Sequence, residues 1–391
     1  MKIFNKNEWK KVKLGDVCEV ITGNTPLKKI KEYWDKDEVP FITPPELKYE
    51  GINYITPNIY VSKIGAKQGR IIPKNSICVC CIGSLGKLGI LKEDAITNQQ
   101  INSLILKDKN VDLLYLYFYL KTIKNKLESI ASSTTVKIIN KSSFEKIEIN
   151  LPTLEIQKKI SKKLELLENN IKLRKSQLVF LKELTKSLFT TMFGTPEYNE
   201  KGWNFISLKD ISYSKGEYGS NKPAINYNGG YRYIRITDIN ANGELKTEKV
   251  GVSDEKIEAQ KYRLKENDIL FARSGATVGK NFLYNKKYGK CIFAGYLIRF
   301  KLNPHLVSTK YLKIYLDTNY YWNWVKNCQN IVAQPNINAK QYGEDLKIML
   351  PPIELQNKFA ERIEKIEKLS FISKELPIFR DFQALYKKVS A

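Results

Sequence analysis

Histidine is nearly missing from this 391-residue sequence: His305 stands alone. That scarcity argues against a metal site that pairs the chain's cysteines with histidine. Acidic residues are also in deficit, 41 against 65 Lys and Arg, for a formal net charge of +24. An excess of that size points to a polyanionic partner, nucleic acid being the usual one, with a lysine-rich background as the bland alternative. Long apolar runs are lacking too. The longest, VDLLYLYFYL (111–120), is too short for a bilayer and is bounded by Asp and Lys. MKIFNKNEWKKVKL at the start carries charge with no apolar run behind it, so no secretory leader is expected.

The six cysteines, Cys18, Cys78, Cys80, Cys81, Cys291 and Cys328, show no disulfide spacing and fit a reducing, cytoplasmic setting. ICVCCIG invites a metal-site reading, but no second ligand pair stands at the right distance. Cysteine as a small apolar residue of a buried strand is the reading adopted. Hydrophobic residues at 42% and charged residues at 27% are the balance of a globular chain, and the length suits two domains.

What the sequence does have is an internal duplication. WKKVKLGDV (9–17) matches WNFISLKDI (203–211), and VPFITPPEL (39–47) matches YRYIRITDI (231–239). IPKNSICVCCIGSLGKLGIL (72–91) matches LKENDILFARSGATVGKNFL (264–283). In both, a polar turn leads to an apolar strand, a Gly-rich turn and a second apolar run. ITNQQINSLIL (96–106) pairs with IFAGYLIRFKL (292–302). Helix candidates follow at Asp112–Leu127 and Thr309–Val325, then the loops 132–144 and 330–342. Last, IEINLPTLEIQKKI (147–160) pairs with LKIMLPPIELQNKF (346–359). Leu14 maps to Leu208, Gly89 to Gly279 and Leu151 to Leu350, an offset near half the chain. That is one domain copied twice rather than a solenoid.

A helix is expected after each copy. Ile160, Leu164, Leu167, Ile171, Leu178, Leu181 and Leu188 fall at alternating four- and three-residue steps, with Arg174 and Thr185 in the remaining slots. The second copy begins alike with Phe359, Ile363 and Ile366. It then weakens at Ser370, Ser373 and Pro377, before a last amphipathic piece at Phe379–Val389. These seam residues are the candidate partner-binding set. The expected fold is α+β: two mixed α/β domains, 1–152 and 195–351, separated by helices at 153–194 and 352–391 that pack as an antiparallel coiled coil. A helix of roughly 35 residues is about 50 Å long. Two unlike reading heads at fixed separation suit a site in two parts with an unread spacer.

Candidate DNA-binding side chains are Arg70, Lys87, Asn98, Gln99, Gln100 and Lys137 in the first copy. In the second they are Arg232, Arg235, Arg273, Lys280, Gln334 and Asn336. Arg and Lys match the guanine O6/N7 edge, and Asn and Gln the adenine N6/N7 edge. For any one of them, a solvated surface group or a turn amide is the commoner role. SLGKLG (84–89) and SGATVGK (274–280) lack Walker spacing and read as strand-to-strand turns. TPPE (43–46) is similar to the Asp/Asn-Pro-Pro-aromatic loop of amino-methyltransferases, but it begins with Thr, ends with Glu, and has no glycine-rich cofactor strand upstream.

The doubled domain, each copy opening on Trp…Leu-x-Asp-Val/Ile and closing on Ile-x-Leu-Pro-x-x-Glu-x-Gln, resembles the specificity subunit of type I restriction-modification systems. The closing motif is Ile149 to Gln157 in one copy and Ile348 to Gln356 in the other. The resemblance implies a non-catalytic DNA-recognition subunit with two target-recognition domains. It further implies helices, after Pro152 and Pro352, on which two adenine methyltransferase subunits dock, and two ATP-driven restriction subunits in the full complex. S-adenosylmethionine, ATP and Mg would then sit on partners, with no cofactor or metal on this chain. Related readers of type IIB or phage-exclusion systems share the architecture. A coiled-coil scaffold without sequence-specific DNA binding, and a self-contained methyltransferase or nuclease, are the readings from other classes.

Overall fold

The computed structural model describes residues 9–132, 136–240, 243–329 and 336–375, with the side chains of 371–375 excepted. The chain divides into two compact units, with the cut between Gln177 and Leu178. That cut falls inside one continuous helix, Leu154–Phe193, so each unit claims part of the helix.

In the first unit a four-stranded antiparallel sheet runs in the order Cys18–Thr22, Ile101–Leu106, Ile77–Cys80, Leu88–Ile90. Ile77–Cys80 is buried along its whole length, and Cys78, Cys80 and Cys81 are free thiols within it or just after it. Burial pushes the Cys78 and Cys81 thiols up to about 12, which leaves them inert packing groups. Among the described residues no cluster of His, Cys, Asp or Glu is placed to hold a metal ion. No described helix is long and apolar enough to cross a membrane.

The second unit repeats the sheet with Glu217–Tyr218, Leu297–Lys301, Asp268–Ala272 and Asn281–Leu283. The polar turn before the central strand is the same in both: Asn75 and Asn267 both adopt positive φ, at 63° and 68°. Asn tolerates that left-handed region because its short amide bonds locally. The Gly-rich segments are strand-to-strand turns, as expected. They superpose Gly86 on Gly279, because both N–H groups donate to the end of the central strand, at Cys80 and Ala272. The matching of Gly89 with Gly279 is corrected accordingly: Gly89 lies in the following strand, opposite Cys78.

In each unit the first strand pairs antiparallel with the last, Lys10–Lys13 with Glu148–Leu151 and Asn204–Ser207 with Lys347–Leu350. A tyrosine on the helix behind each sheet ties that closure down. Tyr115 Oη donates to the Asn150 carbonyl and Tyr311 Oη to the Met349 carbonyl, both at 2.6 Å. The closing motif's glutamine does the rest. Buried Gln157 donates to the Pro152 and Asn110 carbonyls and accepts from the Asp112 N–H. Gln356 repeats this with Pro351, Leu306 and Ser308. One side-chain amide therefore satisfies three backbone groups where the helix leaves the domain.

The helical seams serve the chain's own cores. Ile160 and Leu164 belong to the first unit's core with Leu167 packed against it, and Ile171 is buried. In the second unit Leu178 and Leu181 are half-buried and Leu188 packs on the core. There Phe359 and Ile363 are buried and Ile366 lies against them. Phe189 and Phe193 reach Phe359 with ring centroids 5.9 and 5.2 Å apart. These ten positions were the candidate partner-binding set; their apolar side chains are largely covered within this chain. The C-terminal helix, Ile353–Glu375, runs unbroken past Ser370 and Ser373, since serine weakens a helix without stopping it. Pro377 and Phe379–Val389 lie outside the described residues.

Candidate nucleic-acid interface

A second, parallel pairing builds the edge where the polar loops gather. Phe41 and Ile42 pair with Ile96 and Thr97; Arg232, Tyr233 and Ile234 pair with Cys291, Ile292 and Phe293. Backbone hydrogen bonds then fix the equivalence residue by residue. Asn98 N–H donates to Ile42 and Ala294 N–H to Ile234; Cys81 N–H donates to Gln100 and Arg273 N–H to Tyr296. Ile139 N–H donates to Cys81 and Ile337 N–H to Arg273. Glycine opens each frame. A Cβ on Gly23 would collide with the Thr97 and Asn98 carbonyls, and one on Gly219 with the Phe293 and Ala294 carbonyls.

This frame encloses a cleft in each unit, at the same place. The cleft of the first unit, about 380 Å³, is lined by Thr25, Lys28, Phe41, Thr43, Asn98 and Gln99 among others. That of the second, about 810 Å³, is lined by Lys222, Tyr233, Arg235, Arg273, Gly295 and Tyr296 among others. The floor is aromatic in both, Phe41 against Tyr233. The lips are exchanged: Thr43 becomes Arg235, Gln100 becomes Tyr296, and buried Cys81 becomes Arg273.

The polar groups of the first cleft are amides and hydroxyls with one ammonium, Lys28, and no guanidinium. Thr25 Oγ1 donates to Gln99 Oε1 at 2.6 Å, leaving the Gln99 amide N–H groups without a partner among the described residues. Asn98 is buried and spent locally, its amide on Gln100 Oε1 and its oxygen on the Gln100 N–H. Thr43 and Glu46 cap the Pro44–Glu46 turn, so TPPE is a structural turn here.

In the second cleft Arg235 lies bidentate on Asp238, Nε at 3.0 Å and Nη2 at 2.9 Å. Asp238 holds the Arg235 guanidinium above its usual pKa. Lys222 pairs with Asp254 at 3.0 Å. Arg273 has no carboxylate partner among the described residues. Its guanidinium lies 4.8 Å over the Tyr218 ring, and its Nε is buried without a hydrogen-bond partner among the described residues.

The structure brings Asn98, Gln99, Arg235 and Arg273 to the clefts, with Gln100 and Asn336 beside them, Asn336 bridging Ser274. Arg70 reaches the Thr22 carbonyl at 2.8 Å, just before Gly23. Lys87 and Lys280 are equivalent, both accepting from the end of the central strand, and neither lines a cleft. Lys137 is paired with Glu128 at 3.5 Å. Arg232 is a correction. It is buried, with its guanidinium on the Lys246 and Glu248 carbonyls, because it lies on the core side of its strand. Gln334 lies outside the described residues. Thr25, Lys28, Thr43, Lys222 and Tyr296 were missed by sequence reasoning. Their signal was available in the duplication, as positions where the frame repeats and the side chain changes.

Comparison with known proteins agrees with this doubled build. The family model described as the type I restriction modification DNA specificity domain matches twice, at residues 6–183 and 200–378. The MjaIX specificity subunit of Methanocaldococcus jannaschii is 31% identical over 299 residues, covering 69% of this chain and 67% of that protein. The MjaVIII specificity subunit of the same organism is 26% identical over 94% of this chain and 88% of its own length. The type I restriction-modification S subunit from M. genitalium has the same fold, with a TM-score of 0.65 at 16% identity, covering 100% of this chain and 98% of that one. The chain belongs to the type I restriction-modification DNA specificity family.

Proposed function

We propose that this chain reads a two-part, asymmetric DNA site, one part per domain, and seats adenine methyltransferase subunits on it while catalysing nothing itself. The observation that carries the reading is the cleft built twice on one backbone frame with different linings. A duty common to both half-sites needs the same side chains twice; reading two different half-sites needs different ones. The net charge of +24 supports a polyanionic ligand.

Docking is supported by the helix Leu154–Phe193, which leaves large apolar groups exposed opposite its seam. Leu166 and Leu173 stand out in its first-unit part, and Phe180 and Leu184 in its second-unit part, at steps of seven, seven and four. Such positions suit a partner's helices. In this reading S-adenosylmethionine, ATP and Mg belong to the methyltransferase and restriction subunits, and the assembly works in the prokaryotic cytoplasm.

The test is a purified chain measured alone and with its methyltransferase. Alone, it should bind duplex DNA with an affinity that falls steeply with salt, by about 0.9 in log–log slope per phosphate contacted. It should neither bind S-adenosylmethionine nor nick DNA. With the methyltransferase, Leu173→Glu together with Phe180→Glu should abolish co-purification. A flat salt response would favour a scaffold, and cofactor binding by the chain alone would contradict the non-catalytic assignment.

A further inference from the structure

We propose that Arg273 is the base-reading guanidinium of the second domain and that it takes a guanine edge, so the half-site read by that domain contains a guanine contacted from a position where the first domain carries no cation. This rests on the DNA-reading function above and adds the chemistry of one half-site.

The other cations of the second cleft are already engaged: Arg235 by Asp238 along two bonds, and Lys222 by Asp254. Arg273 is different. It enters from the end of the central strand Asp268–Ala272, its backbone held on both sides by Tyr296 and Ile337. Tyr218 supports its planar group from one face, and Tyr218 is itself fixed by accepting the Ala339 N–H at 3.1 Å. A stacked guanidinium has lost its rotamer freedom before binding and presents its remaining N–H groups in one plane. That plane fits the O6 and N7 acceptors of guanine as a bidentate fork.

Comparison with the first copy separates base reading from phosphate binding. A phosphate lies at every half-site, so a phosphate-binding cation serves both domains alike. At the Arg273 position the first domain has Cys81, buried and packed in its core. Around it the lining is Thr25, Thr43 and Gln99, hydroxyls and an amide suited to an adenine edge, with Lys28 as the cleft's cation and no guanidinium.

The experiment takes the full chain with its methyltransferase. First the methylated motif of the wild type is read, then binding is measured to duplexes carrying that motif and each single-base change, for the wild type, Arg273→Lys, Arg273→Gln and Tyr218→Leu. The expected result is loss of discrimination, by about 5- to 150-fold, at one guanine of one half-site for both Arg273 variants. Tyr218→Leu should relax the same position less. Reading of the other half-site stays intact, which shows that the variants are folded, and the salt slope does not change. Uniform weakening on every duplex, with the slope lower by about 0.9, would make Arg273 a phosphate contact and overturn the proposal. Unchanged discrimination in both Arg273 variants would overturn it equally. Failure of the wild-type chain to confer any motif is a separate outcome and removes the DNA-reading function itself.

Discussion

The two domains share a skeleton and differ in what fills it. Where the second domain buries a charge cluster in its sheet, the first has small neutral groups. Arg299 bonds Glu217, lies 3.6 Å from Asp268, and donates to the Arg263 and Lys261 carbonyls. Register places Ser103 at the Arg299 position, Ser76 at Asp268 and Ile21 at Glu217. There, Ser103 meets only Cys78, at 3.5 Å. The first domain puts its buried ion pair elsewhere: Lys121 to Glu168 at 2.7 Å, joining the core to the long helix. The lesson is that a backbone hydrogen-bond frame tolerates complete exchange of its polar filling, provided every buried charge is answered locally. Tolerance of that kind is what the proposed reading of two unlike half-sites requires.

The largest expected effects are domain-specific. Arg299→Met leaves Asp268 buried without its counter-charge and should cost the second domain about 3–5 kcal/mol. Ser103→Ala, its counterpart, should cost about 1 kcal/mol or less. Hydrogen exchange resolved by domain checks both. Loss of protection in both domains at once would break the comparison.

That cost depends on pH in a defined direction. Burial pushes the Asp268 carboxyl up. Burial also pushes the Glu217 carboxyl up, but hydrogen bonds from Lys301 and Arg299 outweigh it and hold the group below its usual range. A carboxyl with a raised folded pKa costs stability at neutral pH, and the cost disappears as it protonates. One with a lowered pKa contributes stability that is lost as pH falls through its folded value. Arg299 lowers both carboxyls, so removing it costs most while both are ionised, and the gap between wild type and Arg299→Met should narrow as pH falls from neutral toward and below 4. Thermal melts across that range check it, and a widening gap would contradict the cluster's role.

Lys121→Ala should cost the first domain a similar amount, about 3–5 kcal/mol, by stranding Glu168. Asp317→Ala in the second domain removes a pairing at 3.8 Å in which the aspartate itself is half-exposed, while Lys313 keeps its hydrogen bond to Asn281, and should cost under about 1 kcal/mol. A symmetrical effect, between those two in size, is expected for the shared glutamines. Gln157→Leu and Gln356→Leu should each cost their own domain about 1–3 kcal/mol, since each leaves buried backbone groups unanswered. Markedly unequal costs would mean that the frame is less alike than its hydrogen bonds indicate.

Much of the frame was legible in the sequence because its demands are local. The Asn before each central strand, the Gly of each strand-to-strand turn and the closing Leu-Pro-x-x-Glu-x-Gln recur at matched positions, since backbone geometry admits few substitutes there. The role of the closing glutamine was not legible, because two of its three partners lie 45 to 50 residues away in sequence. Arg232 was misjudged for a related reason. An arginine in a strand reads as surface, and only the carbonyls of Lys246 and Glu248 folding over it show otherwise. Arg299 was missed because its counter-charge Glu217 lies on another strand. At the candidate site, Arg273, Asn98 and Gln99 were found by residue type. Which arginine has a carboxylate partner among the described residues depends on Asp238, and that was beyond reach of sequence alone.

The measurement that tests the central claim most directly is single-molecule sequencing of N6-methyladenine in cells carrying this gene with its methyltransferase gene, against cells in which this gene is deleted. The account predicts a motif in two unlike halves, separated by unread bases, that appears only when this chain is present. Methylation unchanged by the deletion, or a motif whose two halves are the same, would contradict it.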